Sequence, residues 1–599
     1  MNTLQKLFYG LDKKYIRASI LAPISMMFDV FFQTLIPILM SRIIDVGIAN
    51  SDIAYTIHVG IQMGAAALLA MLAGSLSSRW SAVGALGLSK NLRRRMFNQV
   101  QDFSFKNTDK IGAASLVTRL TTDVTNIQNM VMMVLRVAVR GPVMLIMSVS
   151  MCFYINPNLA SIFVIIIPIL VIGIVLVVRK AFPRFEIMLK KYDRLNEDVR
   201  ENLGAIRAIK AFVREDYENE KFHKAANEVR LAQFNAENLV IKAIPFSTLM
   251  LYVTIIVIEW RGGVKIIYGN LKTGELISMI TYSSQVLMAI MMVTMIFVNF
   301  VISQASIRRV VEVLDEEPSI KTPKIESYSK TTEAKNLLQV TSGNIEFRNV
   351  SFSYTEQADN KVLTDINFSI KSGQTAGIVG GTGSSKTTLV QLIPRLYDTL
   401  EGSVLVDGKD VRKYNLQELR KNVAMVLQNN VLFSGSIAEN LRWGNKNATD
   451  EELIEACKIA DAHNFITEFP NGYKTNLGQG GVNISGGQKQ RLCIARALLA
   501  KPKVLIFDDS TSAVDTATDS NIRNALKSAL PETTKIIIAQ RFNSVQDADI
   551  IFVMDKGQIT ASGTHDELLK ISPIYNEVYN QQCAGADMVP SLSVSKEDN

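Results

Sequence analysis

A chain of 599 residues exceeds one ordinary domain, so two or more are expected. Its hydrophobic share of 48% is high for a soluble protein of this size, and its net charge of +8 reads as basic cytoplasmic loops beside membrane spans rather than as a nucleic-acid surface. Four cysteines (Cys152, Cys457, Cys493, Cys583) without a CxxC, and four scattered histidines, exclude a disulfide framework and a zinc site.

No signal-peptide pattern opens the chain. Residues 1–15 place Leu4, Leu7, Phe8, Leu11 and Tyr15 on one helical face, with Lys6, Lys13 and Lys14 elsewhere, which predicts an amphipathic helix along a membrane surface. Six apolar stretches then have the roughly 20 residues that a helix needs to cross a bilayer, near 17–42, 57–84, 136–155, 159–182, 243–268 and 276–303. The connections after the second and fourth are long and basic (Arg93, Arg94, Arg95, Lys106, Lys110; Arg184, Lys190, Lys191, Arg194, Arg200), whereas the first loop carries Asp45 and Asp52. Positive loops stay inside, so the long connections and both chain ends face the cytoplasm, and spans two to five are expected to run on as helices beyond the lipid. Residues 1–315 thus read as a six-helix all-α transmembrane domain.

Charge inside the membrane is expensive and often functional. Asp29 has no partner nearby in sequence, whereas Glu259 and Arg261 are expected to neutralise each other near the outer interface. Met288, Met291, Met292 and Met295 give the sixth span flexible thioethers suited to varied apolar ligands. Together these predict an amphipathic, drug-like, cationic substrate.

Residues 316–343 are a polar linker by composition. From 344 to 582, short β-rich runs alternate with helical stretches, which describes an α/β domain with a largely parallel sheet; 583–599 is a polar tail. GIVGGTGSSKTTL follows an apolar strand and opens a helix, the context of a P-loop. Gly380, Gly381, Thr382, Gly383, Ser384, Ser385 and Thr388 would surround the phosphates of ATP, with Lys386 on the β- and γ-phosphates and the Thr387 hydroxyl on Mg²⁺. The pattern wants glycine where Ser385 stands. About 120 residues on, the strand run KVLIFDD ends in Asp508, suited to hold Mg²⁺ through water.

Between these lies NISGGQKQR, with Ser485, Gly486, Gly487 and Gln488. With this motif the chain resembles the ABC (ATP-binding cassette) family, and specifically a half-transporter of the multidrug-exporter type. The resemblance implies that Tyr354 stacks on adenine, that Gln428 senses Mg²⁺ in a loop touching the membrane domain, and that Ser512–Asp515 crosses to a partner. It also implies that 112–128 and 201–222 are the cytoplasmic connections whose tips dock on nucleotide domains.

Two catalytic positions depart from the family. Asp509 stands where a glutamate usually polarises the attacking water, and Gln540 replaces the histidine that contacts the γ-phosphate. Gln479 likewise stands where an acid is common. In this family each ATP lies between one chain's P-loop and the other chain's signature helix, so an altered P-loop side with an intact SGGQ implies a heterodimer. This chain would hold ATP and Mg²⁺ at a degenerate site, and its Ser485–Gln488 would complete a competent site on a non-identical half-transporter. The expected setting is a bacterial plasma membrane; peptide export, lipid export and a regulatory ATP-binding subunit are the alternatives, and the spans exclude a soluble ATPase.

Overall fold

The two textures of the sequence become two units of different construction in the computed structural model, which describes residues 3–321, 339–355, 360–509, 516–539 and 542–586. One unit comprises Met1–Gln101 and Gly112–Glu316, the other Asp102–Ile111 and Glu317–Asn599.

The first unit is helical. Among the described residues, five helical stretches are long and apolar enough to cross a membrane: Lys13–Ile48, Ile53–Asp102, Ala113–Ile155, Pro157–Gly204 and Thr273–Val293. The predicted fifth span lies on the helix Glu215–Ile267, which is not one of these five. With no water in the lipid core, polar groups must find partners on neighbouring helices. Accordingly the Ser278 hydroxyl donates to the Pro37 carbonyl at 2.6 Å and the Tyr282 hydroxyl to that of Thr34 at 2.5 Å. The 43-residue helix Thr273–Asp315 is capped by a residue distant in sequence, because Asp45, at the end of the stretch Lys13–Ile48, accepts the N–H groups of Gly274 (2.6 Å) and Glu275 (3.0 Å). Toward its other end, Arg309 and Ser306 donate to the buried carboxylate of Asp123 at 2.5–2.8 Å.

The N-terminus differs from its predicted form. The helix spans only Thr3–Phe8, and Gly10 at φ 69° breaks it from the next. Leu7 and Leu11 are buried while Phe8 and Tyr9 are exposed. Arg95 donates to the Lys6 carbonyl at 2.7 Å and lies over the Tyr9 ring, so protein contacts rather than an apolar face fix this segment. Glu259 and Arg261 form no ion pair with each other. Residues two apart on a helix point to different sides, and both side chains are exposed.

The second unit carries two main sheets. A six-stranded sheet runs in the order Gln558–Gly563, Ile550–Asp555, Thr375–Gly380, Thr534–Ile538, Val504–Asp508, Val423–Val426, parallel except for its first strand. Its interior strands are largely apolar and almost wholly buried, as sheets covered on both faces require. The first β-rich run, NIEFRNVSFSY, lies outside this sheet, in a separate antiparallel one: Leu363–Ile370, Ile345–Phe352, Glu401–Val406, Lys409–Asp410. Antiparallel neighbours need only short turns, and Asp407–Gly408, both at positive φ, supply one in two residues.

Asp407 also anchors the segment that leads into the strand Ile345–Phe352. Its carboxylate accepts the backbone N–H groups of Thr341, Ser342, Gly343 and Asn344 at 2.6–3.0 Å. Burial by itself would raise its pKa, but the hydrogen bonds from Ser342, Thr341 and Asn344 outweigh that and bring it to about 2. A depressed carboxylate stabilises fully above its unfolded value, near 3.8, and the contribution is lost as pH falls through about 2. Asp407→Asn keeps the left-handed turn but removes the charge and turns one of the two accepting oxygens into a donor. It is expected to cost about 2 kcal/mol at neutral pH, read as a lower thermal midpoint, with the gap to wild type closing below pH ~4.

Candidate functional site

Parallel packing brings the key loops to one sheet edge. Ile538 lies in register with both Ile378 and Asp508, so the P-loop after Gly380, the acids after Phe507 and the segment after Ile538 all leave from strand carboxyl ends. Such an edge is where open α/β sheets bind ligands.

The P-loop turn needs special backbone. Gly380 sits at φ 156°, and a Cβ there would lie 2.2 Å from the Met554 carbonyl oxygen, so no other residue fits. Ser385 adopts φ 71°, ψ 24°, the left-handed region. This is the physical reason the pattern wants glycine: the strain lies in the backbone, whatever the space near a nucleotide. An L-residue there costs about 1 kcal/mol. Ser385→Gly is therefore expected to raise the thermal midpoint by a few degrees and tighten ATP binding severalfold; unchanged or weaker binding in a titration would contradict this account.

Lys386 donates from Nζ to the carbonyls of Gly380 (2.9 Å) and Gly381 (2.8 Å) and to Ser384 Oγ (3.3 Å), so its ammonium already sits inside the loop. Burial lowers its pKa, opposed by the carboxylates of Asp509 and Asp508. The Thr387 hydroxyl donates to Asp508 Oδ1 at 2.8 Å. Burial raises the Asp508 pKa, the Thr387 hydrogen bond opposes, and neighbouring Asp509 adds to the rise. Gln428 Nε2 donates to Asp509 Oδ2 at 3.3 Å. A hydroxyl, two carboxylates and an amide thus converge as oxygen-rich donors, a set that fits Mg²⁺.

Tyr354 is half-exposed and shares a 2.9 Å hydrogen bond between its hydroxyl and that of Thr388. It lines a cavity of about 440 Å³ with Lys106 and Tyr397. Lys106 belongs to the ten-residue excursion Asp102–Ile111, which the sequence reading did not assign to the site. Tyr397 donates to Asp109 at 2.7 Å, Asn107 donates to the Glu317 carbonyl at 2.9 Å, and Phe105 packs on the Tyr397 ring. The segment that joins this unit therefore directly precedes 112–128, where the docking tip was expected. The tip of the other connection, at Phe212 and Val213, is exposed.

Thr382, Gly381 and Gly383 are exposed along the loop. Ser485–Gln488 makes no hydrogen bond with the P-loop among the described residues. Instead, Ser485 and Gln488 form a reciprocal cap on the helix Gly486–Leu499, Ser485 N–H to Gln488 Oε1 at 2.9 Å and Gln488 N–H to Ser485 Oγ at 3.3 Å. Ser485 and Gly486 stand exposed at its start, with Gly487 partly covered. Gln540 and Ser512–Asp515 lie outside the described residues.

In the helical unit the lone-carboxylate expectation fails. Asp29 is buried and accepts from Arg140 Nη1 at 3.1 Å and from Gln33 Nε2 at 3.0 Å, while Arg140 Nη2 reaches Gln33 Oε1 at 2.8 Å. Gln33 is one helical turn away; Arg140 is 111 residues away and invisible to local pattern. Met288 and Met291 are exposed, Met292 lies beside Gly141, and the side chain of Met295 is outside the described residues.

Comparison with known proteins gives a consistent picture. Residues 19–291 match the family described as ABC transporter transmembrane region, and residues 363–512 match the family described as ABC transporter. The chain is 36% identical to an uncharacterized ABC transporter ATP-binding protein of Bacillus subtilis, YfiB, over 95% of this chain and 97% of that one. It is 35% identical to the ATP-dependent lipid A-core flippase of Desulfotalea psychrophila, covering 82% and 84% of the two chains. In fold it is similar to a bacterial Atm1-family ABC exporter solved with ATP bound, with a TM-score of 0.79, 23% identity, and coverage of 95% and 99%.

Proposed function

Because the chain belongs to the ABC transporter family and joins a membrane region to an ATP-hydrolysing domain in one polypeptide, we propose that it exports amphipathic, drug-like compounds across the plasma membrane as one half of a heterodimer. In this reading residues 1–315 form the six-span domain, 316–343 a linker, 344–582 the nucleotide-binding domain and 583–599 a tail, with both ends cytoplasmic. The observation that carries the asymmetry is the pairing of Asp509 at the position of a family glutamate with a well-formed, exposed signature helix start.

The chemistry divides accordingly. The P-loop N–H groups and Lys386 hold the triphosphate; Thr387 and Asp508 would hold Mg²⁺ with Gln428 beside them, and the bound cation would neutralise charge on the phosphates. Asp509 positions the attacking water from a carboxylate drawn back by roughly 1.5 Å relative to glutamate. Gln540 bonds the γ-phosphate without bringing positive charge to it. Ser485–Gln488 faces the partner's nucleotide. The exposed apolar tip at Phe212 and Val213 supports a second subunit, since a solvated tip of this kind calls for cover.

Purified alone, the chain is expected to hydrolyse ATP slowly, and co-purification with a half-transporter carrying glutamate and histidine at the matching positions restores turnover. Two identical copies that hydrolyse ATP quickly would overturn the proposal. Lipid export is the second reading, favoured by the 35% identity to a protein named as a lipid flippase; vesicle uptake with a mixed panel of lipids and drug-like compounds separates the two.

A further inference from the structure

Three helices meet at a polar pocket inside the membrane unit. A cavity of about 500 Å³ is lined by Met26 and Asp29 from Lys13–Arg42, by Gly74 and Ser78 from Ile53–Asp102, and by Arg136 and Arg140 from Val124–Ile155. Gly74 makes the room: a Cβ there would stand 3.3 Å from Asp29 Oδ1.

The charges do not balance. Asp29 is satisfied by one edge of Arg140 and by Gln33. Arg136 has no acidic partner among the described residues, and the Nε groups of both Arg136 and Arg140 are buried without a hydrogen-bond acceptor. Two guanidiniums against one carboxylate leave a surplus of one positive charge, and a proton on Asp29 would only enlarge it. A buried, unbonded guanidinium N–H is costly. Unused planar donors of this kind match the paired oxygens of a phosphate or carboxylate. A cationic headgroup would meet net repulsion on the same wall.

We propose that this pocket receives the anionic headgroup of the transported compound, a phosphate or carboxylate bound by Arg136 and drawn by the positive charge of Arg140 beside it, with its apolar part along Met26 and the neighbouring Met71. The inference rests on the export reading and gives its substrate a sign of charge opposite to the one a lone Asp29 implied.

The test is equilibrium binding without ATP, on the native complex in phosphatidylcholine nanodiscs, using radiolabelled dodecyl phosphate. Dodecyltrimethylammonium, dodecyl maltoside and butyl phosphate serve as competitors. Dodecyl phosphate is expected to bind about tenfold tighter than the ammonium or maltoside compounds, and Arg136→Gln to weaken it by about tenfold. Arg136→Lys, which keeps the charge, is expected to restore part of that loss. Competition by butyl phosphate at similar concentration assigns a soluble organic anion; failure to compete assigns a lipid-like one. Both outcomes support an anion site. The inference is overturned if the ammonium or maltoside compound binds as tightly as the phosphate in the unaltered complex, a ranking that needs no variant, or if Arg136→Gln binds dodecyl phosphate unchanged. Because ATP is absent, loss of vesicle transport with the anion preference intact counts against export alone.

Discussion

Asp509→Glu, combined with Gln540→His, is expected to raise ATP turnover by the isolated chain by about 10²-fold. The backbone at this position is fixed, since the Asp509 N–H donates to the Ile538 carbonyl at 3.1 Å and the residue is only 9% exposed. An added methylene therefore becomes reach, roughly 1.5 Å toward the phosphates. The carboxylate does not start from solvent either: it already lies within 3.3 Å of the Gln428 amide. One opposing effect can be sized. Asp509 sits at φ 49°, a conformation that aspartate tolerates better than glutamate, with a penalty of about 1 kcal/mol. The gain sought is about 2.7 kcal/mol of barrier, so reach outweighs backbone strain. Histidine at 540 adds a donor able to carry charge toward the transferred phosphoryl group, which glutamine lacks. Steady-state phosphate release from the wild type, each single variant and the double variant measures this. A double variant no faster than wild type would remove the explanation, as would a fast wild type that Asp509→Asn silences.

How much of this could be read from residues alone follows from how far apart the partners lie. The P-loop from Gly380 to Thr388 was legible because its chemistry is contiguous: one strand end, one turn, one helix start. Asp508 was legible because a fully buried strand ending in an acid has few other uses. The strain at Ser385 was half legible; the pattern marks the exception, but only φ shows that backbone geometry is what glycine would relieve. The antiparallel sheet was not legible because its strands have the same apolar texture as the parallel ones, and only register and turn length separate them. Lys106 and Tyr397 at the Tyr354 cavity, and Arg140 beside Asp29, come together across hundreds of residues or across helices. No periodicity encodes such pairs. The Asp29 case reversed a functional reading, because a carboxylate without a local partner looks like a receptor for cations until its distant guanidinium is seen.

Within the native complex, Gly486→Asp is expected to reduce ATP hydrolysis and transport by about 10²- to 10³-fold, far more than Lys386→Ala in this chain's own P-loop. The choice of residue matters. Ser485→Ala would strip the cap from the helix Gly486–Leu499 and cost about 1 kcal/mol of local stability, confounding fold with function. At Gly486 a Cβ would meet nothing within 4 Å, and its backbone is not left-handed, so the fold accepts a side chain there. What changes is the exposed helix start, where unpaired N–H groups and the helix dipole attract anions. In the proposed heterodimer, a carboxylate at that point would repel the triphosphate held by the partner while leaving this chain's Lys386, Thr387 and Asp508 untouched. If this chain's P-loop side is the slow one, removing Lys386 subtracts little from total turnover, and removing the signature contact subtracts nearly all of it. Equal losses from the two variants would mean two equivalent sites, and a harmless Gly486→Asp would mean that this helix start never meets a nucleotide.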